Sequence, residues 1–97
     1  MSGEEAFLEG LVGPVATPSD TLDLRGLKCP LPVMRTRRHL RELVPGTVIE
    51  VETTDPLAVI DIPHFCRSEG HELVASAPSQ AGGHSFTIRR GETASAD

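Results

Sequence analysis

Proline residues at both ends of one segment restrict it to a helix with defined boundaries. Pro30 and Pro32 precede the segment, and proline is tolerated in a first helical turn because the N–H that it lacks has no partner there. Residues at helical spacing follow: Val33, Thr36, Leu40 and Leu43. This spacing predicts one buried face, and Pro45-Gly46 ends the pattern. We therefore predict a helix from residue 30 to about residue 43 or 44.

Cys29 directly precedes this helix, and the proline after it disfavours the α conformation. We predict that Cys29 is the helix N-cap, where the positive end of the helix dipole favours a thiolate. The cations of Arg25 and Lys28 are expected to act in the same direction. The free N–H groups of Leu31 and Val33 are expected to stabilise an anion on the sulfur. These features predict a reactive cysteine; the alternative is an inert structural thiol.

Four short segments have the composition of β-strands: residues 21–24, 47–53, 71–76 and 85–89. Alternation in the second segment predicts a half-buried strand with Ile49, Val51 and Thr53 on its inner face. The last two segments flank residues 78–83, which are rich in turn formers, and we predict that they form an antiparallel hairpin.

A second helix is predicted from Leu57 to Glu69, ending at Gly70. Asp55 followed by Pro56 supplies an N-cap and a first-turn proline. Pro63 lies inside the span and is predicted to kink or split the helix, with Asp61 able to cap the second piece. Its predicted buried residues are Leu57, Ile60, Phe65 and Cys66.

The predicted order is β-α-β-α-β-β. Because parallel crossover connections are right-handed, it implies an α/β fold, a two-layer sandwich of one four-stranded mixed sheet with two helices on one face. A chain of 97 residues accommodates one such domain. We assign it to residues 20–90, with flexible tails at 1–19 and 91–97.

Charge is distributed unevenly along the chain. The net charge of −5 argues against a general nucleic-acid binder. However, six of the nine basic residues fall between positions 25 and 41, which contain no acidic residue: Arg25, Lys28, Arg35, Arg37, Arg38 and Arg41. This basic segment contains Cys29. It is either a solvated helix face or a surface for an anion or an acidic partner.

No apolar run approaches the roughly 20 residues that cross a bilayer, and residues 1–5 are acidic, unlike a signal peptide. We therefore expect a cytoplasmic protein with no membrane or direct nucleic-acid partner. Both cysteines are then expected to be free thiols.

Several short motifs resemble the TusA/SirA family of small bacterial sulfur-carrier proteins. They occur in the family's order, at its spacing, over about residues 20–90: Leu22-Asp23, Gly26-Leu27-Lys28-Cys29-Pro30-Leu31-Pro32-Val33, Pro45-Gly46, Asp55-Pro56, Asp61-Ile62-Pro63, Gly70-His71-Glu72-Leu73 and Phe86-Thr87-Ile88-Arg89. The resemblance implies a four-stranded, two-helix fold and a sulfurtransferase activity. Cys29 would accept a sulfane sulfur as a persulfide and pass it on.

The resemblance also implies partners. The donor would be a protein such as a cysteine desulfurase or a rhodanese, and the acceptor another sulfur-relay protein. Relays of this kind serve tRNA thiolation, molybdenum-cofactor supply or sulfur oxidation. Arg37, Asp55 and Asp61 match positions near the docking face. No cofactor is implied beyond the covalent persulfide sulfur, and Leu31 stands where some tRNA-thiolation members have an acidic residue.

Other functions compete with the sulfur carrier. A regulatory module could bind a partner through the basic first helix without thiol chemistry. A redox sensor could form a disulfide between Cys29 and Cys66, although free cysteines are often buried and Cys66 is expected in the core. His64, Cys66 and His71 match no standard zinc spacing, so no metal site is predicted. His71 is expected to pack or hydrogen-bond at a strand start.

Overall fold

The structure is a computed structural model that describes residues 18–92. Its helices and strands follow the predicted order: β1 Asp20–Leu24, α1 Leu31–Arg41, β2 Val48–Thr53, α2 Ala58–Glu69, β3 Glu72–Pro78 and β4 His84–Arg89. A short 3-10 helix, Gln80–Gly82, lies between the last two strands. Nearly all of the two predicted tails, 1–19 and 91–97, lies outside the described residues.

The four strands form one mixed sheet in the order β1-β2-β4-β3. β1 runs parallel to β2, with Leu22 opposite Val51. β4 lies between β2 and β3 and is antiparallel to both, so the predicted hairpin is confirmed. The parallel β1-α1-β2 unit places the start of α1, and therefore Cys29, beyond the carboxyl ends of β1 and β2.

One hydrophobic core lies between the sheet and the helices. The inner face of β2 is the predicted one, with Ile49, Val51 and Thr53 buried. Leu40 of α1 and Phe65 of α2 belong to the same core. Because both helices contribute to a single core, they cover the same face of the sheet. The predicted two-layer α/β sandwich is therefore confirmed.

The second helix differs from its prediction in two respects. α2 is continuous across Pro63 and begins at Ala58, so Asp61 lies in its first turn and caps no second piece. Proline this near a helix start removes a single hydrogen bond, which the packed helix tolerates. The buried face also differs: Leu57 and Ile60 are 50% and 67% exposed, because helical spacing from the buried Phe65 and Cys66 places Ala58 and Ile62 on the inner face instead.

The carboxyl end of α1 is stabilised by Arg90, which follows the last strand, β4. Arg90 is buried, and its Nε donates a hydrogen bond of 2.7 Å to the carbonyl of Leu40. Its Nη1 donates to the carbonyl of Gly91, and the N–H of Gly91 donates to Nδ1 of His71. His71 therefore has the predicted packing and hydrogen-bonding role, and the contacts of the fold extend to Gly91.

Between residues 18 and 92 no helix combines the length and the apolar character needed to cross a bilayer.

Candidate functional site

The predicted cysteine is at the molecular surface. Cys29 is exposed and immediately precedes α1, whose N-cap is Pro30. The prediction that Cys29 is the N-cap is therefore wrong by one residue, because Cys29 directly precedes the observed N-cap. A turn closes the loop, because the N–H of Leu31 donates a hydrogen bond of 2.8 Å to the carbonyl of Lys28. The thiol is therefore presented at the end of a short, hydrogen-bonded loop.

The loop is held from the opposite side by Asp55, which precedes α2. Its Oδ2 accepts a hydrogen bond of 2.9 Å from the N–H of Cys29. Its Oδ1 is 3.4 Å from the N–H of Leu57, and its carbonyl accepts from Ala58. A second bond runs from the N–H of Gly26, at φ 89°, to Oγ1 of Thr54. The residue predicted to dock partners thus positions the backbone of Cys29.

The electrostatics of the thiol are opposite to the prediction. The pKa of Cys29 is raised above its ordinary value of 9.0, first because its thiol hydrogen-bonds to the carboxylate of Asp61. Partial desolvation and the negative charges of Asp61 and Asp55 act in the same direction. The resting sulfur is therefore a protonated thiol rather than the predicted thiolate. The helix dipole does not prevail over two nearby carboxylates.

Arg25 and Lys28, which were predicted to favour the Cys29 thiolate, do not act on it. Arg25 forms a two-point ion pair with Asp23, at 2.8 Å from Nε to Oδ1 and 2.9 Å from Nη2 to Oδ2. This pair lowers the pKa of Asp23 to about 2. The charge of Arg25 is therefore paired with Asp23 and does not support the Cys29 thiol. Lys28 is exposed beside Cys29 but is not among the groups that shift the pKa of the thiol.

The two backbone N–H groups that were predicted to stabilise an anion on the sulfur, those of Leu31 and Val33, differ in whether they already have an acceptor. The N–H of Leu31 is used in the turn to Lys28, so it cannot bind the sulfur. The N–H of Val33 has no acceptor among residues 18–92. Val33 also lines the groove beside Cys29. It is therefore a backbone donor that remains available in the groove.

A groove of about 380 Å³ opens beside the thiol between α1 and α2. Cys29, Val33, Arg37, Asp61, Phe65 and Glu69 are among its lining residues. Arg37 lies on its wall, with Nε 3.0 Å from Oε2 of Glu69 and the guanidinium 5.5 Å from the ring centre of Phe65. Sequence reasoning missed Glu69 and Phe65 as site residues, because their partner Arg37 lies on the other helix.

Cys66 is buried, with 1% of its surface exposed, and burial raises its pKa to about 11. This confirms its predicted place in the core, and both cysteines are free thiols. His71 is engaged with Gly91 and Phe65. Within the described part of the chain, residues 18–92, no three His, Cys, Asp or Glu side chains are grouped as metal ligands.

The predicted site residues thus separate into three groups. Those that line the groove with Cys29 are Val33, Arg37 and Asp61. Asp55 and Leu31 shape the loop around it. Arg25 and Lys28 are exposed and do not line the groove.

Fold and site together define a small α/β protein that presents one exposed thiol at a helix start, beside a groove between two helices. Comparison with known proteins identifies the family. Residues 20–90 match the family described as sulfurtransferase TusA. The chain belongs to the TusA family.

Individual relatives agree with this assignment. The chain is 47% identical over 70 residues to the sulfur carrier protein TusA of Pseudomonas entomophila strain L48, covering 72% of this chain and 86% of that protein. It is 46% identical over 78 residues to TusA of Pseudomonas fluorescens strain SBW25, covering 79% and 93%. Its structure is similar to the crystal structure of a SirA-like protein from Desulfitobacterium hafniense, with a TM-score of 0.66, 27% identity and coverage of 75% and 99%.

Proposed function

We propose that this protein is a sulfur carrier that accepts a sulfane sulfur as a persulfide on Cys29 and passes it to an acceptor protein. The observation that carries the proposal is the exposure of Cys29, in contrast to the buried Cys66. Sulfur transfer between two proteins requires contact of their cysteines, so only a surface thiol can take part. Relatives named sulfur carrier protein TusA support the same role.

The reaction is a thiol exchange in which no electrons are lost overall. The Cys29 thiol first releases its proton to solvent, and its thiolate attacks the terminal sulfur of a protonated donor persulfide. A sulfur–sulfur bond forms to Cys29 as the donor's bond breaks. The donor cysteine leaves as a thiolate with the bonding electron pair. In delivery, the thiolate of the acceptor attacks the terminal sulfur of the Cys29 persulfide, and Cys29 leaves as a thiolate.

The residues around Cys29 have distinct parts in this reaction. Asp55 fixes the backbone of the loop that carries the exposed thiol. Asp61 keeps the resting thiol protonated and slow to react with bystander disulfides and oxidants. The free N–H of Val33 is the donor we assign to the bound persulfide anion.

The partners we propose are those that the TusA family implies. The donor is a protein that forms a persulfide on its own cysteine, such as a cysteine desulfurase or a rhodanese. The acceptor is another sulfur-relay protein, in a pathway of tRNA thiolation, molybdenum-cofactor supply or sulfur oxidation. We place the relay in the cytoplasm, where reducing conditions keep Cys29 and Cys66 as thiols. No additional cofactor is required, because the sulfur is carried covalently.

Mass spectrometry of the intact protein tests the proposal. The full chain is incubated with a cysteine desulfurase and cysteine, and in parallel with a rhodanese and thiosulfate. We expect the mass to increase by one sulfur atom, and a reducing agent to reverse the increase. Cys29→Ser should gain nothing, whereas the matched variant Cys66→Ser should load like the wild type. Failure to load from either donor would reject the function.

A further inference from the structure

The charges around the Cys29 thiol are unbalanced. α1 contributes Arg37, α2 contributes Asp61, His64 and Glu69, and the loops contribute Lys28 and Asp55. The ion pair at 3.0 Å between Arg37 and Glu69 cancels two of these charges. Nε2 of His64 faces the hydroxyl of Ser68 at 3.4 Å.

Two carboxylates and the exposed Lys28 remain, and of these only the carboxylates shift the pKa of the thiol. Among residues 18–92, neither Asp55 nor Asp61 forms an ion pair with a basic side chain. Both are half-buried; Asp61 lines the groove beside the sulfur, and Asp55 bonds the N–H of Cys29. The carboxylates are held there by the fold, Asp61 by the first turn of α2 and Asp55 by its bond to the N–H of Cys29. Because Arg25 is paired with Asp23, no arginine of this region offsets them.

We propose that Asp55 and Asp61 make Cys29 selective for partner cysteines that are flanked by cationic side chains. The inference rests on the proposed thiol exchange. In that exchange, negative charge is shared by the attacking, transferred and leaving sulfurs. Next to two carboxylates this charge is disfavoured unless the partner supplies a lysine or arginine. A partner with anionic residues around its cysteine is repelled twice, by the carboxylates and by the developing charge.

Exposed apolar residues beside the carboxylates fit the same partner. Leu57 is 50% exposed and lies two residues after Asp55, and Ile60 is 67% exposed and precedes Asp61. Alkyl side chains next to carboxylates match the aliphatic stems and charged ends of lysine and arginine. A cationic partner can therefore bury its stems on Leu57 and Ile60 while its charges reach the two carboxylates.

Small disulfides of matched size test the selectivity without any sulfur donor. Cystamine is cationic, 2-hydroxyethyl disulfide is neutral and dithiodiglycolate is anionic. Each reacts with the full chain at one pH and low salt, and the rate is measured by mass spectrometry of the Cys29 peptide. We expect the cationic reagent to react about tenfold faster than the anionic one, a difference of about 1.4 kcal/mol. High salt should compress this ratio.

Variants separate charge from thiol acidity. Asp61→Asn lowers the pKa of the thiol and changes all three rates together, and the leaving-group reactivity of each reagent is the same for every variant, so the change in the ratio from wild type to variant reports the protein's charge. We expect the ratio to fall to about threefold in Asp61→Asn and similarly in Asp55→Asn, which retains an oxygen for the bond from the Cys29 N–H. Glu42→Gln is the control, because it removes an exposed charge about three turns away, beyond α1, and should keep the wild-type ratio.

Two results would overturn the inference. One is equal rates with cystamine and dithiodiglycolate in the wild type. The other is a wild-type ratio in both Asp61→Asn and Asp55→Asn. Neither result depends on sulfur loading, so a protein that takes up no sulfur could still show the charge ratio. The proposed function and the proposed selectivity therefore fail separately.

Discussion

Replacing Asp55 with alanine should release the loop that carries Cys29. The substitution removes the acceptor of the 2.9 Å hydrogen bond from the Cys29 N–H and the longer contact, 3.4 Å, with the N–H of Leu57. Hydrogen bonds to a charged group contribute about 1.5–3 kcal/mol. Asp55 is half-exposed, so we expect the lower part of that range, about 1.5–2 kcal/mol of unfolding free energy. For a domain of this size that lowers the Tm by roughly 5–15 °C.

The same change should slow sulfur loading. Free movement of the loop misplaces the thiol, and we expect a loading rate about tenfold lower at a temperature where Asp55→Ala is fully folded. Loading is measured as the rate of mass increase with a cysteine desulfurase in excess. Thermal unfolding followed by circular dichroism gives the Tm of the same samples.

Asp55→Asn is the matched control for geometry. Its amide oxygen can accept the hydrogen bond from Cys29, so its Tm should lie much nearer the wild type than that of Asp55→Ala. The reasoning is refuted if Asp55→Ala keeps both the Tm and the loading rate of the wild type. It is also refuted if Asp55→Asn loses as much stability as Asp55→Ala, because the loss would then come from charge rather than from the hydrogen bond.

Three further predictions concern stability and acidity. Arg90→Met should lower the unfolding free energy in urea by about 1–3 kcal/mol, because the carbonyl of Leu40 loses its charged donor and keeps only the N–H of Leu43; an unchanged midpoint would contradict the assigned contact. Alkylation of Cys29 by iodoacetamide should keep accelerating above pH 9, since its pKa is raised, and Asp61→Asn should shift the inflection to lower pH; an inflection below pH 9 in the wild type would contradict this. The thiol of Cys66 has a pKa of about 11 when folded and an ordinary value of 9.0 when unfolded. Between these values only the unfolded chain releases the proton, so the unfolding free energy should fall by about 2–3 kcal/mol as the pH rises through this window, and Cys66→Ala should remove that slope.

Local patterns in the sequence were sufficient to predict the fold. Alternation in residues 47–53 identified the inner face of β2, and the turn-rich residues 78–83 identified the β3–β4 hairpin. The error lay in the helical phase of α2. Ala58, Ile62, Phe65 and Cys66 share one helical face, and Leu57 and Ile60, which were predicted to be buried, lie off that face at the surface.

The position of Cys29 was predictable, but its electrostatics were not. The proline pattern placed the thiol at a helix start, which depends only on neighbouring residues. Its raised pKa depends on Asp61, thirty-two positions later in the sequence, which only the packing of α2 against α1 brings close. The pairing of Arg25 could have been predicted from the neighbouring sequence, because Asp23 is only two residues away. That pair leaves Arg25 unavailable to the Cys29 thiol.

Contacts between distant elements escaped prediction for the same reason. The ion pair of Arg37 with Glu69 and the bond from Arg90 to Leu40 join residues 32 and 50 positions apart. Arg37 and Arg90 are common surface residue types, and nothing in the neighbouring sequence marks either as engaged.

The most direct test of the carrier role follows one labelled sulfur through two transfers. The protein is loaded with ³⁵S from a cysteine desulfurase, separated from the donor, and mixed with a sulfur-relay acceptor protein. We predict that the label is found on the Cys29 peptide before mixing and on the acceptor afterwards, in amounts that match. Label that stays on this protein, or that reaches the acceptor equally well through Cys29→Ser, would contradict the account.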